Sequence, residues 1–521
     1  MLGGISILGI AGLICKIVGV LYRIPLANLI GSEGIGVYQQ VFPTYNLMLT
    51  ISSAGIPVAI SRMVAYRLAK GQARGSRRVF YVALVLLSIL GLLSTLVMLL
   101  LSGKLAAATG TPESDMGFRY IAPSLLLVCV MSAFRGYMQG HRRMMPTAVS
   151  QLIEQVGKVG VALPLAYSFM RSGGYAMGAA GALLGTSIAE AVALLYMAAD
   201  YFFIRPRLYV ANAHLQAEFE PESWRRIARE MVFSAVPITI GACIVPLAGA
   251  VDSFMLVRLM QSYLPQTEAL SRYGIYSGLV ISLINVPTAL AMAMATNLVP
   301  SISAKRAAGD TAGIQRDAAS GLRLAMVIGL PSSIGMSLLA EPILFLLFGG
   351  GRYSEAQLHM GGQLLSISAL TIVVFTLVQA SSGILQGLYK QRIPMYTLML
   401  GVAIKVGINY MAVRLPSANI FGAPWASLAC YCISAGLNIF YTARYAKLRL
   451  SLQDLLIKPL LATLIMAVPV SIAAIALSAK LKTSWGLMGL VMFGAVLIFI
   501  MAALKTGAIR RTDLPARFRK G

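Results

Sequence analysis

Residues 79–103 run for 25 positions without a charged side chain, and a chain with such a stretch has few ways to fold. About 20 mostly apolar residues cross the hydrocarbon core of a bilayer as a helix. Inside that core the backbone finds no water, so a helix, which satisfies its own N–H and C=O groups, is the form the segment takes. The same reading along the chain gives fourteen spans, at residues 4–30, 35–58, 79–103, 119–140, 147–170, 174–203, 231–260, 273–300, 321–348, 361–388, 394–414, 420–443, 457–479 and 485–506. Composition agrees, with 58% hydrophobic and 12% charged residues, where soluble chains carry about 25% charged. The expected fold class is all-α integral membrane, with 14 transmembrane helices. The apolar opening lacks a basic n-region and outruns a signal peptide, so none is expected.

Charge orients the spans. Lys and Arg number 43 against 18 Asp and Glu, a net +25. Such a balance fits nucleic-acid binding or a membrane protein with basic cytoplasmic loops. With the N-terminus inside, 30 of the 43 fall in the cytoplasmic loops, span ends and tail, eight on the other side and five within spans. Topology therefore accounts for the charge, no nucleic-acid partner is needed, and both termini are expected in the cytoplasm. The longest charged loop, residues 204–230, reads as a linker, with Pro221 placed to open a short interfacial helix.

The chain also repeats itself. Gly136-Tyr-Met-Gln139-Gly140 is followed by basic residues and Pro146; Gly383-Ile-Leu-Gln386-Gly387 is followed by Lys390, Arg392 and Pro394. Gln139 to Lys158 and Gln386 to Lys405 are both 19 residues, an offset of 247. Gly36-Val-Tyr38 and Gly274-Ile-Tyr276 open spans two and eight at an offset of 238. An offset covering six spans preserves orientation, so two six-helix parallel-repeat lobes are expected, with spans thirteen and fourteen appended. The domains are then 1–203 (N-lobe), 204–230 (linker), 231–447 (C-lobe) and 448–521 (two helices and a basic tail).

An ionisable side chain near the bilayer centre costs at least about 2.5–3.5 kcal/mol on insertion scales and usually faces a cavity. Lys16 and Arg23 are seven apart on span one, on one helical face, and suggest an anion site. Glu154 and Lys158 are spaced i, i+4, which allows a self-neutralised pair or a functional one. Lys405 has no acid at i±4 and shares its face with Asn409. Arg258 matches Arg23 by repeat position. Asp252 either pairs across a cavity or titrates as a coupling group. Glu190 either binds a proton or hydrogen-bonds a neighbouring helix. Lys16, Arg23, Lys158, Arg258 and Lys405 outnumber the three acids, so the lining attracts an anion such as a pyrophosphate and repels a cation. Gly174, Gly178, Gly181 and Gly185 read as helix-packing positions, and Pro57 and Pro287 as breaks in spans two and eight. No metal-ligand cluster, Walker A motif or nucleophile elbow is present in the sequence, so no enzyme activity and no cofactor are expected, with Na+ or H+ coupling left open. The cysteines lie in apolar runs and read as buried, reduced thiols.

The stretches Ile17-Val-Gly-Val-Leu-Tyr-Arg23-Ile-Pro25, Gly31-Ser-Glu-Gly34-Ile-Gly36, Gly55-Ile-Pro57-Val-Ala-Ile-Ser61-Arg62 and Arg135-Gly-Tyr-Met-Gln139-Gly140 resemble the stage V sporulation protein B branch of polysaccharide exporters. That branch belongs to the multidrug/oligosaccharidyl-lipid/polysaccharide exporter superfamily, which includes MurJ-type lipid II flippases. The resemblance implies two six-helix lobes around a central cavity with alternating access. It implies a flippase for an undecaprenyl-pyrophosphate-linked saccharide in the bacterial plasma membrane, with that lipid, membrane lipids and cell-wall synthesis proteins as partners. Basic residues in the first helix and after the second are needed in those relatives; Lys16, Arg23 and Arg62 occupy matching or nearly matching positions. Some relatives place a sodium site among helices seven, eleven and twelve; Asp252 would belong to it, and Lys405 brings an ammonium there. The alternative is a multidrug cation antiporter, which would want carboxylates where span one offers Lys16 and Arg23. A non-transporting scaffold for wall-synthesis enzymes would leave the buried charges without a purpose.

Overall fold

A computed structural model describes residues 2–211, 222–448 and 451–509, with side chains from residue 11 onward except 13, 16 and 205–211. Everything regular among the described residues is helical. Twelve helical segments are long and apolar enough to span a bilayer, and two of them, Ile17–Ala69 and Met145–Ile204, contain 53 and 60 residues. A straight helix of that length would reach about 80–90 Å, against a core of about 30 Å. Each is in fact two crossings, which makes fourteen. In α1 (Leu2–Ser53) the break is Gly31, at φ 73°. In α6 (Leu163–Ala211) it is Gly173 and Gly174, the latter at φ 74°. Only glycine takes such a φ without strain.

Both breaks reverse the chain. Arg23 lies over the ring of Phe42, 5.6 Å from its centroid, although 19 residues separate them. A Cβ on Gly178 would lie 3.2 Å from Met170 Cβ, one on Gly181 2.7 Å from Leu165 O, and one on Gly185 directly against Ala162. These pairs run antiparallel, so Gly178, Gly181 and Gly185 are the close-packing positions of a helical hairpin. Gly174, expected to pack, is its turn.

Packing divides the chain into two compact units, Met1–Gly274 and Ile275–Gly521. The first holds α1, α2 (Ile56–Ala69), α3 (Ala73–Ala108), α4 (Asp115–Gly140), α5 (Met145–Gly157), α6, α7 (Trp224–Met260) and α8 (Gln266–Tyr273). The span-two break falls between Ser53 and Ile56, where Gly55 lies against Ala235 O and its N–H donates to Thr239 Oγ1 at 3.1 Å. Span seven, which opens the second sequence repeat, thus packs within the first unit along α1 and α2. Residues 212–221 of the linker, including Pro221, lie outside the described residues; α6 continues to Ala211 and α7 starts at Trp224, capped by Ser223.

The second unit holds α9 (Ile281–Ala307), α10 (Thr311–Leu338), α11 (Ala340–Phe348), α12 (Glu355–Gly387), α13 (Arg392–Val413), α14 (Gly422–Ala446), α15 (Lys458–Ala476), α16 (Ser478–Leu481) and α17 (Trp485–Lys505). Where these helices start outside the apolar runs, polar caps set them. Asp310 accepts from Gly313 N–H at 2.7 Å, and Ser354 with Gln357 forms a capping box over α12. Pro287 lies inside α9 without ending it, and the irregular turn comes earlier, as a π segment at Gly274–Val280.

The repeat is visible in both units. In the first, a Cβ on Gly136 would sit 2.9 Å from Pro57 O and one on Gly140 2.6 Å from Val64 Cβ. In the second, Gly383 meets Ala295 O at 2.7 Å and Gly387 meets Ile302 Cβ at 2.8 Å. Both the glycine pairs and their partners are repeat mates, so α4 lies on α2 as α12 lies on α9. Left-handed backbone recurs as well, at Gly71 and Gly309 and at Arg142 and Tyr389. Within the first unit one pair of mates touches directly. Gly36 faces Leu270 O at 2.5 Å while Gly274 faces Ser32 O, the same contact made in both directions.

All five cysteines are free. Cys129 and Cys430 are buried, Cys15 and Cys243 half-buried, and Cys432 lies on an exposed face, contrary to the expectation of burial.

Candidate functional site

The candidate charged side chains of the first unit lie on five of its helices, α1, α2, α5 with the turn that follows it, α6 and α7. Arg23 is half-buried on α1, and its guanidinium stacks over Phe42. The backbone of Lys16 lies two turns earlier on α1; its side chain is outside the described part of the structure. Arg62 is exposed on α2, past the break at Gly55. Proline at the second position of that helix removes a backbone donor where none is needed, so the break is compatible with an unfrayed helix carrying Arg62.

Span five supplies the densest polar group. Glu154 accepts from Arg135 Nη2 of α4 at 2.6 Å, and Arg135 also donates to Ser150 Oγ at 2.8 and 3.0 Å. Both charged side chains keep little exposure, 13% and 15%. The local i, i+4 pair of Glu154 with Lys158 is not made. The helix widens into a π turn, Lys158–Ala162, at the lysine, and Arg135 already occupies the carboxylate. A π turn carries one more residue per turn than the α-helix around it and recurs at functional sites. Lys158 is half-buried there, has no salt bridge among the described residues, and acts electrostatically on Glu190 of α6 and on Cys15 of α1.

Glu190 is 5% exposed and accepts from Tyr45 O–H at 3.0 Å. It thus bridges spans two and six. Its second oxygen, Oε2, is buried with no hydrogen-bond partner. Asp252 is half-buried on α7. Arg258 is elsewhere, exposed in the last turn of α7, where Nη2 donates to Ala107 O at the end of α3, 3.2 Å away. A cation on the last carbonyls of a helix is favourable. In the second unit Lys405 is 8% exposed on α13, with Asn409 fully buried one turn on.

Thus Arg23, Lys158, Glu154 and Glu190 belong to one packed set of helices, and Arg258 caps a helix end. Two further charged residues belong here that the sequence does not single out. Arg135 lies five residues inside span four. Arg67, one of six basic residues in the loop after span two, is 3% exposed and pairs with Glu222 at 2.5 Å and Glu230 at 3.7 Å, tying α2 to the start of α7. An arginine inside a span's limits was the available signal for the first, and nothing local marked the second. Among the described residues no three His, Cys, Asp or Glu side chains converge as metal ligands.

Known proteins match this architecture. The family model described as polysaccharide biosynthesis protein matches residues 1–305, and the MatE model matches residues 237–411. The lipid II flippase MurJ of Bacillus subtilis (strain 168) is 25% identical over 461 residues, 86% of this chain and 83% of the relative. Stage V sporulation protein B of the same organism is 24% identical over 427 residues, 82% and 80%. A solved structure of the lipid II flippase MurJ in an inward closed conformation superposes with a TM-score of 0.70 at 12% identity, covering 97% of this chain and 98% of that one. An inward-facing multidrug resistance transporter of the MATE family gives 0.69 at 15% identity, covering 83% and 94%. With fourteen crossings, an internal repeat, and a family model spanning more than half its length, this chain belongs to the polysaccharide biosynthesis protein family, within the MurJ-like and MATE-like superfamily of membrane transporters.

Proposed function

We propose that the chain is a flippase for an undecaprenyl-pyrophosphate-linked saccharide, lipid II or a related cell-envelope precursor, moved from the cytoplasmic to the outer leaflet by alternating access. The observation that carries this reading is the pairing of Glu154 with Arg135. That pairing occupies the acid four residues before Lys158, and the candidate cations of the first unit, Lys158, Arg23, Arg62 and Lys16, then outnumber its acids and suit an anionic headgroup. Arginine and lysine bind pyrophosphate through charge-assisted hydrogen bonds. Lys405, at the position equivalent to Lys158, is the candidate cation of the second unit. The name of the relative MurJ supports the substrate class. The protein sits in a bacterial plasma membrane with both termini in the cytoplasm, following the basic loops. The lipid tail stays in the bilayer, beside spans thirteen and fourteen. Membrane potential or a Na+ or H+ gradient drives the cycle, with Asp252 and Glu190 as the coupling acids.

Lipid II translocation in cells depleted of their own flippase tests the reading. Lys16→Ala and Arg23→Ala are each expected to lower transport by about tenfold or more, the worth of one good charged contact, at unchanged membrane level. Wild-type transport in both variants would contradict it. The MatE match favours a second reading, a cation antiporter; efflux of a cationic dye without lipid II translocation would select it.

A further inference from the structure

Two cavities in the first unit adjoin at the end of α7 and share one side chain, Arg258. The first, about 360 Å³, is otherwise lined by Val251, Phe254, Met255 and Leu259. These recur at helical spacing, so they form one apolar strip on α7 that ends at the guanidinium. The second, about 470 Å³, lies between the ends of α3 and α7, where Arg258, Gln261 and Gln266 supply the polar lining and Ala107, Gly110 and Pro112 the opposite wall.

The polar cavity is positive. Arg258 makes one hydrogen bond, to Ala107 O, and a guanidinium has five N–H groups. Gln261 donates to Gly110 O at 2.7 Å and keeps its carbonyl oxygen free to accept. The acids at this end are engaged by other groups: Glu33 by Ser32 O–H at 3.0 Å, Glu113 by Tyr175 O–H at 2.7 Å, Asp115 by Arg119 at 2.9 Å, Glu268 by Arg272. Among the described residues none pairs with Arg258. This is also the side opposite the basic loops, where cations are few. Val251, Phe254, Met255 and Leu259 are each half-buried, so the strip keeps an open edge along α7.

A cation beside an amide-lined chamber, continuous with a half-exposed apolar strip, matches an amphipathic phosphate ester. We propose that this paired cavity is a second lipid site, where the polyprenyl pyrophosphate pauses after crossing. Its phosphates lie on Arg258, its first saccharide hydroxyls on Gln261 and Gln266, and its first isoprene units on Val251, Phe254, Met255 and Leu259. At about 470 Å³ the chamber has volume for a sugar beside the pyrophosphate. The inference rests on the flippase reading and extends it to an exit at the edge of α3 and α7.

Native mass spectrometry of the purified full chain with undecaprenyl pyrophosphate tests it. Arg258→Ala is expected to weaken one bound equivalent by about tenfold. Val251→Trp, which fills the strip and keeps the charge, should weaken the same equivalent, and Arg23→Ala should retain it. The proposal is overturned if Arg258→Ala and Val251→Trp both bind like wild type, or if Arg23→Ala removes the same equivalent. It is also overturned if phosphatidylglycerol displaces the probe at equal concentration, or if free inorganic pyrophosphate binds as well as the lipid. Binding that ignores Arg258 leaves the flippase reading standing, whereas no binding of undecaprenyl pyrophosphate to the wild type removes both.

Discussion

At the level of Lys158 the first unit carries Arg135, Glu154 and Glu190. At the equivalent positions, 247 or 244 residues on, the second unit carries Ser382, Gly401 and Ser434, and the equivalent lysine is Lys405. In the first unit these side chains form an ion pair and a buried carboxyl bridged to Tyr45. In the second they form a neutral ladder. Asn438 donates to Ser382 at 3.3 Å and accepts from Thr397 at 2.7 Å, and Ser434 donates to Thr397 O and Cys430 O. Gly401 has no room for an acid, since even a Cβ there would lie 2.6 Å from Cys430 O and Ser434 Oγ. The helix is a π turn at Lys158 and regular at Lys405. One duplicated architecture therefore holds two chemistries. The repeat dictates which helices touch, and the substitutions within it decide whether a layer holds an ion pair and a buried carboxyl or a ladder of neutral hydrogen bonds.

The most severe test removes the two lysines separately. Lys405→Ala is expected to lower lipid II translocation by about tenfold or more. Lys158→Ala should lower it by a smaller factor, about threefold, because the first unit has Lys16, Arg23 and Arg62 as further candidate cations whereas Lys405 is the one candidate of the second. Equal losses would break the distinction between the units.

A smaller effect concerns stability. Breaking a buried ion pair from one side costs about 3–5 kcal/mol, and the residual exposure of Arg135 and Glu154 reduces that to about 2 kcal/mol for Arg135→Ala. The double variant Arg135→Ala/Glu154→Gln should recover part of it, because no buried charge is then left unpaired. Thermal unfolding in detergent measures both, and a double variant no better than Arg135→Ala would mean the pair carries little of the difference.

Smallest is the loss of single neutral hydrogen bonds. Tyr45→Phe in the first unit and Ser434→Ala in the second should each lower stability by about 1 kcal/mol. A much larger loss for Tyr45→Phe would show that Glu190 depends on that hydroxyl, which would sharpen the contrast.

Much of this architecture is legible in the sequence. Apolar run length gives the crossings, and the offset between the motifs at Gly136 and Gly383 gives the repeat, because both follow from local pattern and register. The chemistry of the layer around Lys158 is less legible. The i, i+4 rule pairs Glu154 with Lys158, but Arg135 arrives from another helix and the π turn leaves no mark in apolar periodicity. Arg258 reads as an intramembrane cation by its repeat position, yet its partner is a carbonyl at the end of α3, a contact set by tertiary packing alone. Gly174 shows the same limit, since small-residue spacing does not separate a packing glycine from a turning one.

The reversals at Gly31 and Gly174 also bear on how the protein is made. Elsewhere a span is followed by a polar connection that the insertion machinery handles on its own. At these two places one helix runs directly into the next through a glycine turn at the end of a crossing, exposed at residues 171–174. A connection that short ties its two crossings together, so spans one and two, and again five and six, are expected to enter as hairpins. The first is complete only when the ribosome has passed Ser53, so the earliest stage of biogenesis waits on a pair rather than on a helix.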